Sequence, residues 1–278
     1  MKEFWIAADL GYGQVKGVNQ LNEKIIFPSI LAPGKDRALD KVFGNLEDNI
    51  IDNLHVKIHE KNIFDAKEYF VGKLAQKRNV NSYFNTKDNK IYSNENKVFL
   101  STLAGLLLPK DIINEEYSIN LITGLPVSHF VKQKHDFENM LKNLNITIEF
   151  PDHNKKHTIS FDKVLLMPQG AGALSYIMLN NGTKYYLPNT YIGLIDIGFK
   201  TTDVVVFKID GEGKLDFISD MSSTLENIGM SNIFSEMEKA FIKASKNGES
   251  LSIDRLMELV KNGQIFYNGA RSLAPKFQ

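Results

Sequence analysis

Two Asp-Gly turns, one near the start of the chain and one deep inside it, constrain this sequence most. Residues 9–16 read Asp-Leu-Gly-Tyr-Gly-Gln-Val-Lys, and residues 196–203 read Asp-Ile-Gly-Phe-Lys-Thr-Thr-Asp. Each turn stands between two short apolar runs. This pattern predicts a β-hairpin whose glycines allow a positive φ and the close approach of a ligand to the backbone. Two such turns facing each other would offer backbone N–H groups to phosphates and two carboxylates to a hydrated Mg²⁺.

The composition excludes several classes of function. Lysine plus arginine and aspartate plus glutamate are balanced at 33 each, so there is no strong signal for direct nucleic-acid binding or for an anionic membrane. The chain has no cysteine, which excludes disulfides, zinc–thiolate sites and thiol catalysis and fits a cytoplasmic location. No signal peptide is recognisable, and the most apolar later run, residues 98–108, is too short to span a bilayer. We therefore expect a cytoplasmic protein without a direct membrane partner.

The order of patterns in the first half predicts a sheet interrupted by an insertion. Residues 4–9 and 14–19 form the first hairpin, and a strand follows that Pro28 ends. Residues 32–96 are polar and predict a small, exposed inserted subdomain, and residues 97–108 predict a buried helix ended by a proline. The remaining elements are a strand at 119–123, a helix capped by Ser128, a hairpin of residues 146–150 and 157–161, a separate strand at 164–167 and a helix from about Ala171.

The second half repeats this plan. The linker 180–189 is the best candidate boundary, so we expect one domain over residues 1–182 and a second over 183–278. Strands at 192–196 and 203–209 form the second hairpin, a strand at 215–218 follows, and two helices are predicted at about 230–244 and from about 252. The expected fold class is therefore α/β, with two lobes built on duplicated mixed sheets and flanking helices.

The residues of the two turns have the chemistry of a phosphate and magnesium site. Asp9 and Asp196 suit water-mediated Mg²⁺ binding, because Mg²⁺ releases its waters reluctantly and prefers carboxylate oxygen. Lys16 can reach the phosphates as a point charge. The other candidate phosphate contacts are the turn amides and hydroxyls and a helix N-terminus near Gly229; they are Gly11, Tyr12, Gly13, Gln14, Gly198, Phe199, Lys200, Thr201, Thr202 and Gly229. Each of these residues taken alone is commonly a turn former or a strand residue, and the interpretation depends on the pairing of the turns.

The two turns and the shorter motifs between them resemble the superfamily that contains actin, the sugar kinases and the heat-shock chaperone ATPases. The chain is most similar to bacterial and archaeal actin-like ATPases of the ParM type, which move plasmids. Besides the turns, the supporting motifs are Phe-Pro-Ser at 27–29, Thr-Gly-Leu-Pro at 123–126, Pro-Gln-Gly-Ala-Gly-Ala at 168–173 and Asn-Ile-Gly-Met-Ser at 227–231. The resemblance implies an actin-like two-lobed fold of ribonuclease-H-like sheets with Mg²⁺–ATP in the interdomain cleft. It also implies that Gln169 orients the attacking water, giving slow hydrolysis by an enzyme with catalytic residues Gln169, Asp9 and Asp196. Finally, it implies self-assembly into filaments that segregate DNA through a DNA-binding adaptor protein.

The pattern departs from this family in the second half. The family has a strand followed by a run of glycines that supports the adenosine, and no such run follows the predicted helices here. We therefore expect an incomplete second lobe, arising from a truncated product or from a shortened member. Two alternatives stay open, a small-molecule kinase of the same fold and a non-catalytic interaction module. The sequence also leaves open the choice between ATP and GTP, the filament architecture and the cargo.

Overall fold

The computed structural model describes most of the chain: residues 2–37, 49–61, 65–78, 83–84, 93–109, 115–181, 187–245, 248, 250–267 and 270–273. Its strands are β1 Lys2–Leu10, β2 Gln14–Asn19, β3 Lys24–Pro28, β4 Ile30–Pro33, β5 His55–Glu60, β6 Lys67–Val71, β7 Tyr83–Phe84, β8 Glu115–Leu125, β9 Asn145–Phe150, β10 Lys155–Pro168, β11 Thr190–Ile197, β12 Thr202–Ile209, β13 Leu215–Phe217, β14 Ser223–Leu225, β15 Gln264–Tyr267 and β16 Ala270–Leu273. Its α-helices are α1 Lys73–Arg78, α2 Asn94–Leu107, α3 Val127–Lys142, α4 Ala171–Asn181, α5 Met230–Ala244 and α6 Ile253–Asn262. Short 3-10 helices lie at Ile50–Asp52 and Ser219–Met221.

The first half of the chain builds one mixed sheet. Within the described ranges its ten strands follow the order β3-β2-β1-β8-β10-β9-β5-β6-β4-β7. The strands β1, β8 and β10 are parallel to one another, and the other neighbours are antiparallel. Alternate residues of β1, from Phe4 to Leu10, are buried in the core, as a strand with one face on a core requires. The prediction of a first hairpin that continues into β3 is confirmed.

The helix α2 fills the centre of the core of this sheet. Its apolar residues from Val98 to Leu107 are buried almost all round, which confirms the predicted buried helix. The Ser93 hydroxyl caps the helix by accepting the N–H of Asn96 at 3.2 Å. Thr102 can be buried because its hydroxyl donates to the carbonyl of Val98 within the helix, at 2.7 Å.

The polar segment 32–96 is part of the main sheet where the structure describes it. Strand β5 pairs with β9, and Leu54, Val56 and Val71 belong to the same core cluster as β1. A buried Arg37 side chain donates to Asn53 Oδ1 at 2.7 Å and to Asp152 Oδ2 at 2.8 Å. The predicted exposure is therefore wrong for this described part, because apolar side chains of its strands pack in the same core as β1. Whether the segment is a separate subdomain stays a prediction.

Strand β10 differs from the prediction of two separate strands. It is continuous from Lys155 to Pro168, with a β-bulge between Phe161 and Val164. Asn120 on β8 accepts the N–H of Lys163 within this bulge, at 3.3 Å. The bulge shifts the register and so breaks the alternation of apolar residues, which is why the sequence pattern shows two strands where the structure has one.

The second half repeats the hairpin on a smaller sheet. Strands β11, β12 and β13 are antiparallel neighbours, and β14 pairs with the other end of β12. Helix α4 packs on this sheet, because its Leu174 and Met178 form one cluster with Val205 and Phe207. The predicted domain boundary falls at residues 182–183, which lie outside the described residues, so the division stays a prediction.

The predicted helices of the second half are confirmed. Helix α5 spans the predicted residues, and α6 ends at Gly263, whose φ of 68° gives a left-handed C-terminal cap. The two helices share an apolar cluster that includes Phe234, Met237 and Leu256. None of the helices in the described part of the chain is long and apolar enough to cross a membrane.

Candidate nucleotide site

The first Asp-Gly turn, residues 9–14, is held from outside by the Phe-Pro-Ser motif. Ser29 is fully buried; its hydroxyl donates to the carbonyl of Gly11 at 2.7 Å, and its N–H donates to the carbonyl of Gly13 at 3.0 Å. A Cβ on Gly11 would lie 2.7 Å from the carbonyl oxygen of Gln14. This position therefore has no room for a larger side chain, and Ser29 fixes the backbone of the turn.

The second Asp-Gly turn, residues 196–201, is held by its own hairpin and by α5. The N–H of Gly198 donates to the carbonyl of Thr201 at 2.8 Å, and the carbonyls of Gly198 and Phe199 accept the N–H groups of Met230 and Ser231. None of the glycines in the two turns is among the described residues with a positive φ. That part of the prediction is wrong, and the close approach of a ligand to the backbone of the turns stays a prediction.

The two turns face each other across a cavity of about 370 Å³. A Cβ on Gly13 would lie 3.0 Å from the Cβ of Phe199, and the Lys200 ammonium lies 5.4 Å from the centre of the Tyr12 ring. Eleven of the predicted site residues line this cavity; they are Asp9, Gly11, Tyr12, Gly13, Gln14, Lys16, Gln169, Asp196, Gly198, Phe199 and Thr201. The pairing of the turns, on which the sequence argument depends, is therefore present in the structure.

Negative charge is concentrated at one end of the cavity. Asp9, Asp196 and Asp203 line it together with Lys16, whose Nζ lies 3.6 Å from Asp9 Oδ2. Burial raises the pKa of the Asp196 carboxyl, and the neighbouring Asp9 and Asp203 raise it further, while Lys16 opposes them. A cation placed at this end would relieve the repulsion between the carboxylates.

Gln169 lies where β10 passes into α4. Its backbone N–H donates to the carbonyl of Leu125 at 2.7 Å, and a Cβ on Gly124 would lie 3.2 Å from its Cγ. Gln169 lines both the first cavity and a second, more apolar one of about 580 Å³, and Asp9, Lys16 and Asp196 do the same. These four side chains therefore form a wall shared by the two cavities.

Three predicted phosphate contacts have other contacts in the structure and do not line the first cavity. The Thr202 hydroxyl donates to the carbonyl of Ile228 at 2.8 Å, and Lys200 stands over the Tyr12 ring. The N–H of Gly229 donates to Asn232 Oδ1 at 3.0 Å, and a Cβ on Gly229 would lie 2.7 Å from the carbonyl oxygen of Phe199. Gly229 thus lets α5 pack closely on the second turn. A phosphate contact at these three residues stays a prediction.

The cavity also has an apolar wall that the sequence does not reveal. Met230 and Phe234 of α5 and Met257 of α6 line it beside Phe199, and the Phe199 and Phe234 rings lie 6.2 Å apart. These residues recur at helical spacing and so have the pattern of ordinary core residues. No sequence signal separates a helix face that packs on a core from one that also borders a cavity.

Asp203 was also missed as a site residue, and with it the cap of α3. The predicted cap Ser128 lies inside the helix, whose N-cap residue Pro126 makes no capping side-chain hydrogen bond. The N–H of Val127 donates instead to Asp203 Oδ1 at 3.1 Å, and the N–H of Ser128 donates to Thr224 Oγ1 at 3.1 Å. The capping prediction is wrong because both acceptors come from the second sheet, far along the chain.

The residues present fit a hydrated Mg²⁺. In the part of the chain that is described, no group of three or more histidines and carboxylates could hold a metal ion directly. Asp9 and Asp196 are the carboxylates of the two turns, and burial, followed by the charge of the neighbouring Asp9, raises the pKa of the Asp196 carboxyl. Such a pair suits an ion that keeps most of its waters.

The comparisons with known families agree with this architecture. Residues 7–172 match the N-terminal domain of actin-like proteins, and residues 194–276 match the C-terminal part of an archaeal actin homologue of the MreB-like kind. The two matches lie on the two halves that carry the two turns.

The chain is also similar to solved structures. It is 48% identical to the protein of a 15-stranded ParM filament from Clostridium botulinum, with a TM-score of 0.83 over 99% of this chain and 79% of that chain. It is 46% identical to a non-polymerisable quadruple mutant of pCBH ParM, with a TM-score of 0.80 over 99% of this chain and 78% of that one. A crystal structure of the archaeal actin homologue Ta0583 in complex with ADP is 19% identical, with a TM-score of 0.71 over 98% of this chain and 75% of that chain; this likeness shows the fold alone.

Proposed function

Because this chain belongs to the actin-like proteins, we propose that it binds Mg²⁺–ATP between the two Asp-Gly turns and hydrolyses it. The observation that supports this most is the contact of the turns at Gly13 and Phe199, with Asp9, Lys16 and Asp196 on one wall of the cavity. The archaeal actin homologue Ta0583, which shares the fold, has been solved in complex with ADP, so a nucleotide is the ligand to test first. The proposal treats the chain as two lobes with the cavity between them.

Each group of the cavity has a distinct role in this reaction. Asp9 and Asp196 hold the waters of a bound Mg²⁺, which would supply charge stabilisation at the phosphates. Lys16 and the turn amides near Gly13 bind the phosphate oxygens. Gln169 orients the attacking water beyond the terminal phosphate, and since a neutral amide is a poor base, hydrolysis is slow.

The apolar wall gives the base a place to bind. Phe199, Phe234 and the two methionines present rings and thioethers, which contact flat aromatic surfaces well. The side chains of this wall offer few hydrogen-bonding groups that would distinguish adenine from guanine. The proposal therefore includes ATP as the main nucleotide and leaves GTP to be tested beside it.

We infer that the protein assembles with itself into filaments. The support is the 48% identity to a protein whose structure is that of a filament. The slow rate of hydrolysis in such a polymer would limit how long the filament lasts. Segregation of a plasmid or other DNA in the cytoplasm, through a DNA-binding adaptor protein, is the part of the proposal that rests on family membership alone.

The test combines phosphate release with light scattering after addition of Mg²⁺–ATP or Mg²⁺–GTP. We expect phosphate release together with pelletable polymer. Asp196→Ala should abolish phosphate release, and Gln169→Ala should lower kcat by about 100-fold or more while nucleotide binding is kept. Asp216→Asn, a change at an exposed acid of the same sheet, is the matched control.

The alternatives have their own outcomes in the same experiment. Phosphate transfer that occurs only after addition of a small-molecule acceptor would favour a kinase. Absence of both phosphate release and polymer would favour a non-catalytic interaction module. Unchanged phosphate release in Asp196→Ala would refute the assignment of the metal-binding carboxylates.

A further inference from the structure

Asp203 stands between the cavity and a helix of the other half of the chain. It is directly opposite Asp196 in the β11–β12 ladder and lines the cavity, although only 2% of it is exposed. Its Oδ1 accepts the N–H of Val127 at 3.1 Å and the hydroxyl of Thr224. One carboxylate therefore contacts the cavity, the second sheet and the first residue of α3.

The N-terminus of α3 depends on these contacts. The first N–H groups of a helix have no partner within the helix and carry the positive end of its dipole, so a carboxylate there is stabilising. Pro126, the N-cap residue, makes no capping side-chain hydrogen bond. The N–H of Val127 goes to Asp203 and that of Ser128 goes to Thr224, which in turn donates to Asp203. Two acceptors on the second sheet thus hold the first turn of α3.

We propose that Asp203 is a positioning residue that couples the nucleotide cavity to helix α3, by holding the second phosphate turn and the N-terminus of that helix in a fixed relation. Ligand binding between the turns then restricts the first turn of α3, and displacement of α3 moves the second turn. This inference rests on the proposed function for the identity of the ligand. The hydrogen bonds themselves do not depend on it.

If this cap served only to stabilise α3, a capping side chain next to the helix in the sequence would be sufficient. The N-terminus of a helix is commonly capped by a side chain of the preceding residue, whereas here the acceptor lies 76 residues later in the sequence. Asp203 also directly follows Thr201 and Thr202 in the strand that leaves the turn. The cap of α3 and the backbone that borders the cavity therefore belong to one rigid hairpin.

Amide hydrogen exchange of Val127 and Ser128, measured by NMR with and without Mg²⁺–ATP, tests the coupling. Asp203→Ala removes the acceptor, so we expect Val127 to exchange about 2- to 30-fold faster without nucleotide. Asp203→Asn keeps an oxygen acceptor and should restore the protection. Thr224→Val removes the acceptor of Ser128 and one donor to Asp203 but keeps the acceptor of Val127, so it should accelerate exchange at Ser128 more than at Val127. Asp216→Asn should leave both amides as in the wild type.

The exchange measurements with Mg²⁺–ATP distinguish a positioning role of Asp203 from a role in stabilising α3 alone. In the wild type and in Asp203→Asn, Mg²⁺–ATP should slow exchange at Val127 and Ser128; in Asp203→Ala this response should disappear, and kcat/KM should fall about 10- to 100-fold. Unchanged exchange of Val127 in Asp203→Ala, or a preserved nucleotide response in that variant, would overturn the proposal. If the wild type binds no nucleotide, calorimetry shows this directly: the proposed function then fails, and the coupling fails with it, while the cap is still judged by the exchange without nucleotide.

Discussion

Gly13→Ala separates the geometry of the phosphate site from the stability of the fold. The added Cβ would lie 3.0 Å from the Cβ of Phe199 and 3.1 Å from its Cγ, whereas carbon atoms pack best at about 3.5–4.0 Å. The two turns must therefore move apart by about 0.5–1 Å. Since a displacement of about 1 Å at a reacting centre lowers rates by about 100-fold, kcat/KM for phosphate release should fall about 10- to 100-fold.

The fold should tolerate the same change. Gly13 is not among the residues with a positive φ, and replacing glycine by alanine at a permitted φ restricts the unfolded chain, which offsets part of the steric cost. We expect the free energy of unfolding to change by less than about 2 kcal/mol. Gly211→Ala, where a Cβ meets nothing within 4 Å, is the matched control and should keep wild-type activity. Wild-type kcat/KM in Gly13→Ala, or an equal loss in Gly211→Ala, would show that contact between the turns does not set the site.

Three further measurements address the charge of Asp196, the core around helix α2 and the apolar wall of the cavity. Burial and then Asp9 and Asp203 raise the pKa of Asp196, so the folded chain holds this proton more tightly than the unfolded chain; the stability it contributes is present at low pH and lost as pH rises through the folded pKa. Asp196→Asn should therefore flatten the fall of Tm with rising pH in the absence of Mg²⁺ and nucleotide, and an unchanged profile would contradict this. Leu103→Ala, at a residue with no exposed surface, should lower the free energy of unfolding by about 2–5 kcal/mol in a denaturant titration; Leu21→Ala, at a residue that is 62% exposed, should change it by less than about 0.5 kcal/mol. Met257→Ala should raise the KM for ATP several-fold at constant kcat, and a fall in kcat alone would place Met257 outside the base site.

The elements that the sequence predicts well are those fixed by local patterns. The first hairpin, helix α2 and helix α5 are each specified by the residues within them, through alternation, through apolar residues on all sides or through one apolar face. The two turns could also be paired from the sequence, because both carry the same order of carboxylate and glycine. The fold class followed from this pairing.

The features that could not be predicted depend on contacts between distant residues. The bulge in β10 is stabilised by Asn120 on a neighbouring strand, and the cap of α3 comes from Asp203 and Thr224. The apolar wall of the cavity joins Phe199 of the second turn to Met257 of α6. In each case the two contacting residues are far apart in the sequence, so no local pattern contains both, and only the packing of the fold brings them together.

The pairing of strand β5 with the main sheet has a consequence for how this protein unfolds. Strand β5 is hydrogen-bonded to β9, and Leu54 and Val56 pack in the same cluster as Phe4 and Ile6. Opening β5 would expose that cluster, so it costs a large share of the global free energy of unfolding. Strands β1, β8, β9 and β5 should thus lose their amide protection in one cooperative step, and β5 can move only together with the sheet that carries the first turn.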